Sequence, residues 1–400
     1  MLKGLKRKAD DLSKAIMWLI NIAETRLNNR KAVGGYSAVG IVRLDAIGDF
    51  VLWSDTLEVY RNLYPDCEII LFCNSLYYDL TQFFSEIDRV VPIEMKRYRR
   101  LEHLWFHFKT RSQLKQYKVD TLIHPTYSRN VYMDSIAAAI PAHKKIAADG
   151  EASNSSKLVK KINDVIYNRL LETPSSAVME MERNKYFIHG LGGTEYKSGY
   201  SLFPSMPSSY NFYDKYFVVY LGGSCVNKYW PIESYAKVSA YVHKKYAWKC
   251  CLIGMDNNLK QQFMENLQFA KENIIDLVGK TSLVDVACII QRAELLLGND
   301  TSGVHFAVAS KVPSVTVGGG WEYQRFLPYV ADNPLIGRIQ KTACCKMECF
   351  NCRYTRKIVE CIEAEASAVP YLCISNVTVE EVIKLIDEIE FKDKLNEYID

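Results

Sequence analysis

The sequence predicts a two-part α/β protein built on parallel sheets. Short apolar runs end in glycine-rich or polar turns and are followed by stretches of helical periodicity, the sign of strand–turn–helix units. That alternation occurs twice, starting at residues 38 and 216, on either side of a stretch at 201–215 rich in Pro, Ser and Tyr. At 400 residues and 48% hydrophobic, the chain is long and apolar enough to bury two cores.

The elements follow in order. Leu2, Leu5, Ala9, Leu12, Ile16, Leu19, Ala23 and Leu27 repeat at spacings of three and four, which predicts a basic amphipathic helix over 1–31. Such a helix suits either an anionic membrane surface or packing on its own domain. Residues 38–44 form a buried strand, 45–49 a polar turn, 50–64 a helix stopped by Pro65, and 68–73 a second strand. Further strands are expected at 89–92 and 121–124, and irregular structure over 148–181. The second half continues with strands at 217–221, 249–253, 294–297 and 314–317, and helices at 232–246, 283–292 and from Gly303. A helix at 378–389, capped by Thr378 or Asn376 with Glu380 and Glu381 in its first turn, closes the series.

The net charge of +4 is uneven. Residues 1–31 carry eight Lys/Arg against three Asp/Glu, and residues 96–118 eight against one. Both segments suit anionic partners. No run of 18 apolar residues suggests a membrane span, and no secretory signal is read at the N-terminus. Twelve cysteines, several inside apolar runs, fit a reducing, cytoplasmic setting. Cys344, Cys345, Cys349 and Cys352 crowd into nine residues, with Cys361 and Cys373 beyond them. Structural zinc sites more often use two separated pairs, so thiols or a redox-labile pair are the expected reading and no metal is assigned.

Ligands of open α/β sheets bind beyond the carboxyl ends of the strands, and three strand-end turns are unusual. Asp45-Ala46-Ile47-Gly48-Asp49 sets a carboxylate at the opening of a helix, as a helix cap or as a functional acid. Gly222-Gly223-Ser224, with Lys228 following, offers amides, a hydroxyl and a cation to a phosphate, or is an ordinary βα loop. Asp300-Thr301-Ser302-Gly303 opens a helix with small hydrogen-bonding residues and leads to His305. It serves equally as a capping sequence, with His305 packed in the core. Neither the P-loop pattern nor G-x-G-x-x-G after a strand is present.

Taken together these segments resemble glycosyltransferase family 9, the ADP-heptose:lipopolysaccharide heptosyltransferases. Residues 41–52 are similar to that family's opening strand, Gly-Asp turn and helix, and 63–69 continue the match. Lys228-Tyr229-Trp230-Pro231 is similar to its Lys-x-Trp-Pro. Residues 276–283, and 298–305 followed by Val312-Pro313, are similar to its later segments. Ser302 departs from the family's direct Asp-Thr-Gly, and Met255-Asp256-Asn257-Asn258 from its usual ribose contact after Gly254.

The resemblance implies two Rossmann-like domains facing a cleft, the GT-B fold. The expected division is the basic helix 1–31, an acceptor domain 32–205, a donor domain 206–376, and a C-terminal helix 377–400 returning to the first domain. It also implies an inverting, metal-independent transfer in which Asp49 is the general base. Gly223, Ser224, Lys228, Asp300, Thr301, Ser302, Gly303 and His305 would bind the donor, and Asp45, Gly48, Arg129 and Lys144 the acceptor. No cofactor is expected beyond the co-substrate, a nucleotide sugar of the ADP-heptose kind. The expected partner is an anionic glycolipid or oligosaccharide acceptor at the cytoplasmic face of the inner membrane, with peripheral membrane contact and no nucleic acid. The rival readings are an epimerase-like sugar-nucleotide enzyme and a catalytically silent nucleotide- or lipopolysaccharide-binding protein.

Overall fold

Ala38–Arg43 forms strand β1, and all six of its residues are buried in the computed structural model of the chain. A strand covered on both faces by helices shows just such an unbroken apolar run. The structure describes residues 37–100, 103–174, 176, 178–207, 210–352 and 359–391. The expected helix over 1–31, and the end of the chain from 392, lie outside the described residues.

The first unit continues through α1 (Ile47–Ser54), α2 (Leu57–Leu63), β2 (Glu68–Asn74), β3 (Arg89–Ile93), α3 (Leu104–Leu114), β4 (Val119–His124), α4 (Val131–Ala139), β5 (Ala142–Ala148), α5 (Lys157–Asn163), β6 (Arg169–Leu171) and α6 (Glu180–Leu191). Its strands make one sheet in the order β3-β2-β1-β4-β5-β6, and every pairing is parallel.

The expected helix 50–64 is two helices, and the first begins at Ile47. Ser54 Oγ donates to the Val51 carbonyl at 2.8 Å, a local bond that competes with the helical ladder where α1 ends. The stretch expected to be irregular holds α5, capped by Ser156, whose Oγ accepts from Val159 N at 3.2 Å. It also holds the three-residue edge strand β6. Strand β5 is hidden in the sequence by His143, Lys144 and Lys145. Lys145 is nevertheless fully buried, because its ammonium donates to the Ala137 and Ala138 carbonyls at 2.7 and 3.3 Å, at the negative end of α4.

The second unit runs β7 (Tyr216–Leu221), α7 (Ile232–Tyr246), β8 (Lys249–Gly254), α8 (Asn257–Glu265), β9 (Ile274–Asp276), α9 (Leu283–Gln291), β10 (Leu295–Asn299), α10 (Ser302–Ala309), β11 (Ser314–Val317), β12 (Gln340–Ala343) and α11 (Val379–Asp387). Its six strands are again all parallel, ordered β12-β11-β10-β7-β8-β9. Two doubly wound sheets of six strands in one chain are the composition of the GT-B fold.

By contacts, the first unit takes the described residues of 1–50, 56–177 and 183–196, and the second those of 51–55, 178–182 and 197–400. The division thus falls nearer 196 than the expected 205. Ser198 N donates to Asp332 at 2.8 Å, Asn333 Nδ2 to the Gly199 carbonyl at 2.9 Å, and Phe203 N to the Ala309 carbonyl at 3.1 Å, which ties 197–205 to the second unit.

Thr378 caps α11 in a capping box with Glu381. Val382 and Ile386 of that helix are buried in the second unit's own core with Trp230, Tyr235 and Ile374. The described part of the tail thus belongs to the second unit's core. No described helix is long and apolar enough to cross a membrane.

Candidate active site

In each sheet the chain reverses its direction of growth at one strand pair, β1/β4 in the first and β7/β10 in the second. Loops leaving such a pair diverge, and the crevice beyond the carboxyl ends is where this architecture binds ligands. Two of the singled-out turns leave the second pair, and Asp45 to Asp49 leave the first.

In the first unit, Arg43 at the end of β1 is completely buried and organises the turn that follows. Its Nη2 lies 3.0 Å from Asp45 Oδ2 and donates to the main-chain carbonyl of Asp49 at 2.9 Å. Phe50 is anchored beside it, stacked on Tyr77 at 4.5 Å and edge-on to Phe84 at 5.6 Å, while Tyr77 Oη donates to the Arg43 carbonyl at 2.7 Å. The first helical bond runs from Phe50 N to the Ala46 carbonyl at 3.1 Å. Asp49 is therefore in the first turn of α1 and is not the cap, and Gly48 precedes it as the helix's second residue. A carboxylate there meets the positive end of the helix dipole.

Asp45 lines a cavity of about 460 Å³ together with Asn74, Arg99, Asn130, Tyr132 and Asn154. Asn74 braces the turn by donating to the Asp45 carbonyl at 3.1 Å, and Asn130 caps α4 through bonds from Tyr132 N and Met133 N. Asn74, the last residue of β2, and Asn130, the cap of α4, were not singled out from the sequence, whereas Arg99 belongs to the basic segment 96–118 expected to suit an anionic partner.

Two expected acceptor ligands are elsewhere. Arg129 is buried against Asp134 at 2.7 Å and Asp164 at 2.5 Å, donates through Nε to the Ala148 carbonyl at 3.2 Å, and lies over the Tyr167 ring at 4.7 Å. Its guanidinium is spent on holding α4, α5 and β5 together. Lys144 is exposed in the amino-terminal half of β5, away from the strand ends where the cavity opens. Replacing Arg129 with Met is expected to strand two buried carboxylates and cost about 3–5 kcal/mol of stability. A denaturant midpoint that stays unchanged would refute that structural role.

In the second unit, β7 and β10 are hydrogen-bonded neighbours, with Gly298 opposite Tyr220. Their loops touch. A Cβ on Gly223 would come within 2.9 Å of Thr301 Cγ2, and one on Gly303 within 2.6 Å of the Tyr220 ring, so both positions need glycine for this approach. Gly222 turns the chain at φ +94°, a conformation glycine adopts freely. Asn299, buried at the end of β10, binds the loops together. Its Oδ1 accepts from Trp230 N at 3.0 Å and Tyr235 Oη at 2.9 Å, and its Nδ2 donates to the Gly222 carbonyl at 3.3 Å. This tie was not foreseen from the sequence.

Lys228 ends the short turn Val226–Lys228, with Nζ 5.2 Å from the Trp321 ring centroid. Burial raises the Asp300 carboxyl above the usual range, the Lys228 charge pulls it down, and Glu322 pushes it up. Thr301 is the N-cap residue of α10 and its side chain makes no cap bond, so the amides of the first turn stay at the helix mouth beside exposed Gly223 and Ser224. Gly223, Ser224, Lys228, Asp300, Thr301, Ser302 and Gly303 thus come together.

His305 belongs to the interior instead. It is 5% exposed, burial lowers its pKa to about 3, and Nδ1 is 2.5 Å from Tyr329 Oη. Asp256, in the departure after Gly254, is used as the cap of α8, its Oδ1 accepting from Asn258 N at 2.8 Å.

The sequence profile of Glycosyltransferase family 9 (heptosyltransferase) matches residues 134–355, more than half of the chain. The chain is 21% identical over 375 residues to lipopolysaccharide heptosyltransferase 1 of Campylobacter coli, covering 88% of this chain and 98% of that protein. Among solved structures it is similar to the family 9 glycosyl transferase of Veillonella parvula DSM 2008, with 18% identity, a TM-score of 0.63, and 89% of this chain and 98% of that one covered. E. coli heptosyltransferase WaaC with ADP-2-deoxy-2-fluoro heptose is similar at 18% identity and a TM-score of 0.62, covering 88% of this chain and 99% of that one. The structural likenesses establish the fold and the profile match establishes the family: the chain belongs to glycosyltransferase family 9, the heptosyltransferases.

Proposed function

We propose that this glycosyltransferase moves a heptose from ADP-heptose onto an anionic lipopolysaccharide-core acceptor with inversion at the anomeric carbon. The observation that carries the reading is the meeting, at the β7/β10 pair, of the Gly222–Ser224 loop, Lys228 and the open first turn of α10. Together they make an anion site formed of amides and one cation. A diphosphate leaving group fits it, and the charge that develops on the leaving oxygens is met by fixed donors, with no divalent ion required.

On the acceptor side, Asp49 takes the proton of the attacking hydroxyl as that oxygen bonds to the anomeric carbon and the carbon–diphosphate bond breaks. The cavity lined by Asp45, Arg99 and the three asparagines suits a polyhydroxylated, negatively charged sugar. Arg129 and Lys144 have no part in this proposal. Peripheral contact with an anionic membrane surface stays with it, since the acceptor is lipid-linked.

Thermal denaturation with a series of nucleoside diphosphates tests the donor. Ligand at about 100 times its Kd adds about 2.7 kcal/mol, so ADP is expected to raise the midpoint by several degrees and by more than UDP or GDP. A larger shift with UDP or GDP would remove ADP-heptose as the donor.

A further inference from the structure

Four cysteines of the second unit converge on one small cavity that the functional reading does not use. Cys349, Cys352, Cys361 and Cys373, together with Cys345, line a space of about 30 Å³ walled by Trp321, Phe350 and Tyr371. A space of that size holds an ion or a water molecule and no organic group. None of the twelve cysteines is in a disulfide.

The thiols come from three separate pieces of backbone. Cys349 and Cys352 flank a turn in which Phe350 N bonds the Met347 carbonyl at 2.9 Å and Asn351 N the Gly320 carbonyl at 2.6 Å. Asn351 adopts φ +60° there. Cys361 lies on the helix Val359–Ser367, and Cys373 on the single turn Leu372–Ser375.

The Cys361 and Cys373 thiols each lie close enough to feel the charge of Cys349 and Cys352, and Cys373 also feels that of Cys361, whereas Cys345 feels Cys349, and Cys344 feels Cys345 and Cys373. Convergent side chains carried by distant parts of a chain suit a metal better than simple core filling, which places no demand on four sulfurs. Two cysteines separated by two residues, followed by two more, is also a donor set that sulfur-seeking cations use.

We propose that Cys349, Cys352, Cys361 and Cys373 form a tetrathiolate site for one sulfur-seeking transition cation of the zinc or iron class. As they stand, no three His, Cys, Asp or Glu side chains among the described residues are close enough to hold a metal. Binding therefore draws the sulfurs inward to about 2.3 Å from the ion. Four thiols lose four protons to solvent, and a divalent cation leaves a net charge of −2. Lys346 sits next to this turn, and the sequence between Cys352 and Cys361 supplies Arg353, Arg356 and Lys357.

Each thiol must give up its proton to bind the ion, so the affinity falls as pH drops. The role is structural. Trp321 walls the cavity and its ring carries Lys228, so closing the site stiffens the support of the phosphate-facing cation.

The full chain, purified under reducing conditions, is expected to carry about one zinc or iron per molecule by elemental analysis, which also tells the two apart. Cys361→Ser and Cys373→Ser should lose most of that metal, and Cys345→Ser should keep it. Because a serine variant can fail to fold, the chelated wild-type protein is titrated with Co²⁺ in parallel. One equivalent should produce thiolate-to-metal charge-transfer bands in the near ultraviolet and tetrahedral bands in the visible. Absence of those bands overturns the proposal, and so does undiminished metal in folded Cys361→Ser. Neither readout depends on transferase activity, so the metal site stands or falls separately from the sugar-transfer reading.

Discussion

Asp49→Asn is expected to slow transfer by about 10²–10⁴-fold, the usual contribution of a positioned general base. That corresponds to about 3–5 kcal/mol of transition-state stabilisation. Donor affinity should stay within about twofold, because Asp49 lies on the first unit and the amide-lined loops on the second. The variant should also fold normally. Arg43 reaches this residue through its main-chain carbonyl, a bond that Asn leaves intact. Rate measurements at saturating donor, beside a binding titration with ADP, separate the two effects. Transfer at the wild-type rate would remove Asp49 as the base. Asp45→Asn is the informative control, since the Asp45 carboxylate pairs with buried Arg43, and its loss is expected to reduce stability as well as activity.

Lys228→Ala is expected to lower kcat by about 10²–10³-fold, as the loss of one preorganised donor to a developing negative charge does elsewhere. Donor binding should weaken too, because the ground-state diphosphate already carries charge. Lys228→Arg keeps the charge and should recover part of the loss. It should not recover all of it, since a planar guanidinium cannot reproduce the contact of a compact ammonium beside Trp321. Equal activity of the Ala variant and the wild type would place the leaving-group charge elsewhere. A drop in thermal stability matching the loss of rate would point to a structural role for the lysine.

How legible these features were depends on the range of the signal behind each. Strand β1, the Gly-Asp turn and the start of α10 could be read because buried parallel strands and helix mouths leave short-range marks: apolar runs, glycines and capping residues within a few positions. Strand β5 could not be read. Its two lysines look solvent-exposed until the carbonyls of Ala137 and Ala138 are seen to receive one of them. Arg129 failed in the opposite sense. The family resemblance made it an acceptor ligand, yet Asp134 and Asp164, 5 and 35 residues away, claim it. His305 went the same way, drawn into the interior by Tyr329, 24 residues on.

From the sequence alone came the α/β class, the two halves, the family resemblance and the segments that carry the site, since each is written in periodicity or in residues close together along the chain. Tertiary structure alone decided which charged groups face a ligand and which are consumed as struts. It also decided that Asn299 ties the two loops and that cysteines up to 28 residues apart share one cavity. The physical reason is that a buried charge or polar group must find a partner, and the chain brings that partner from any distance.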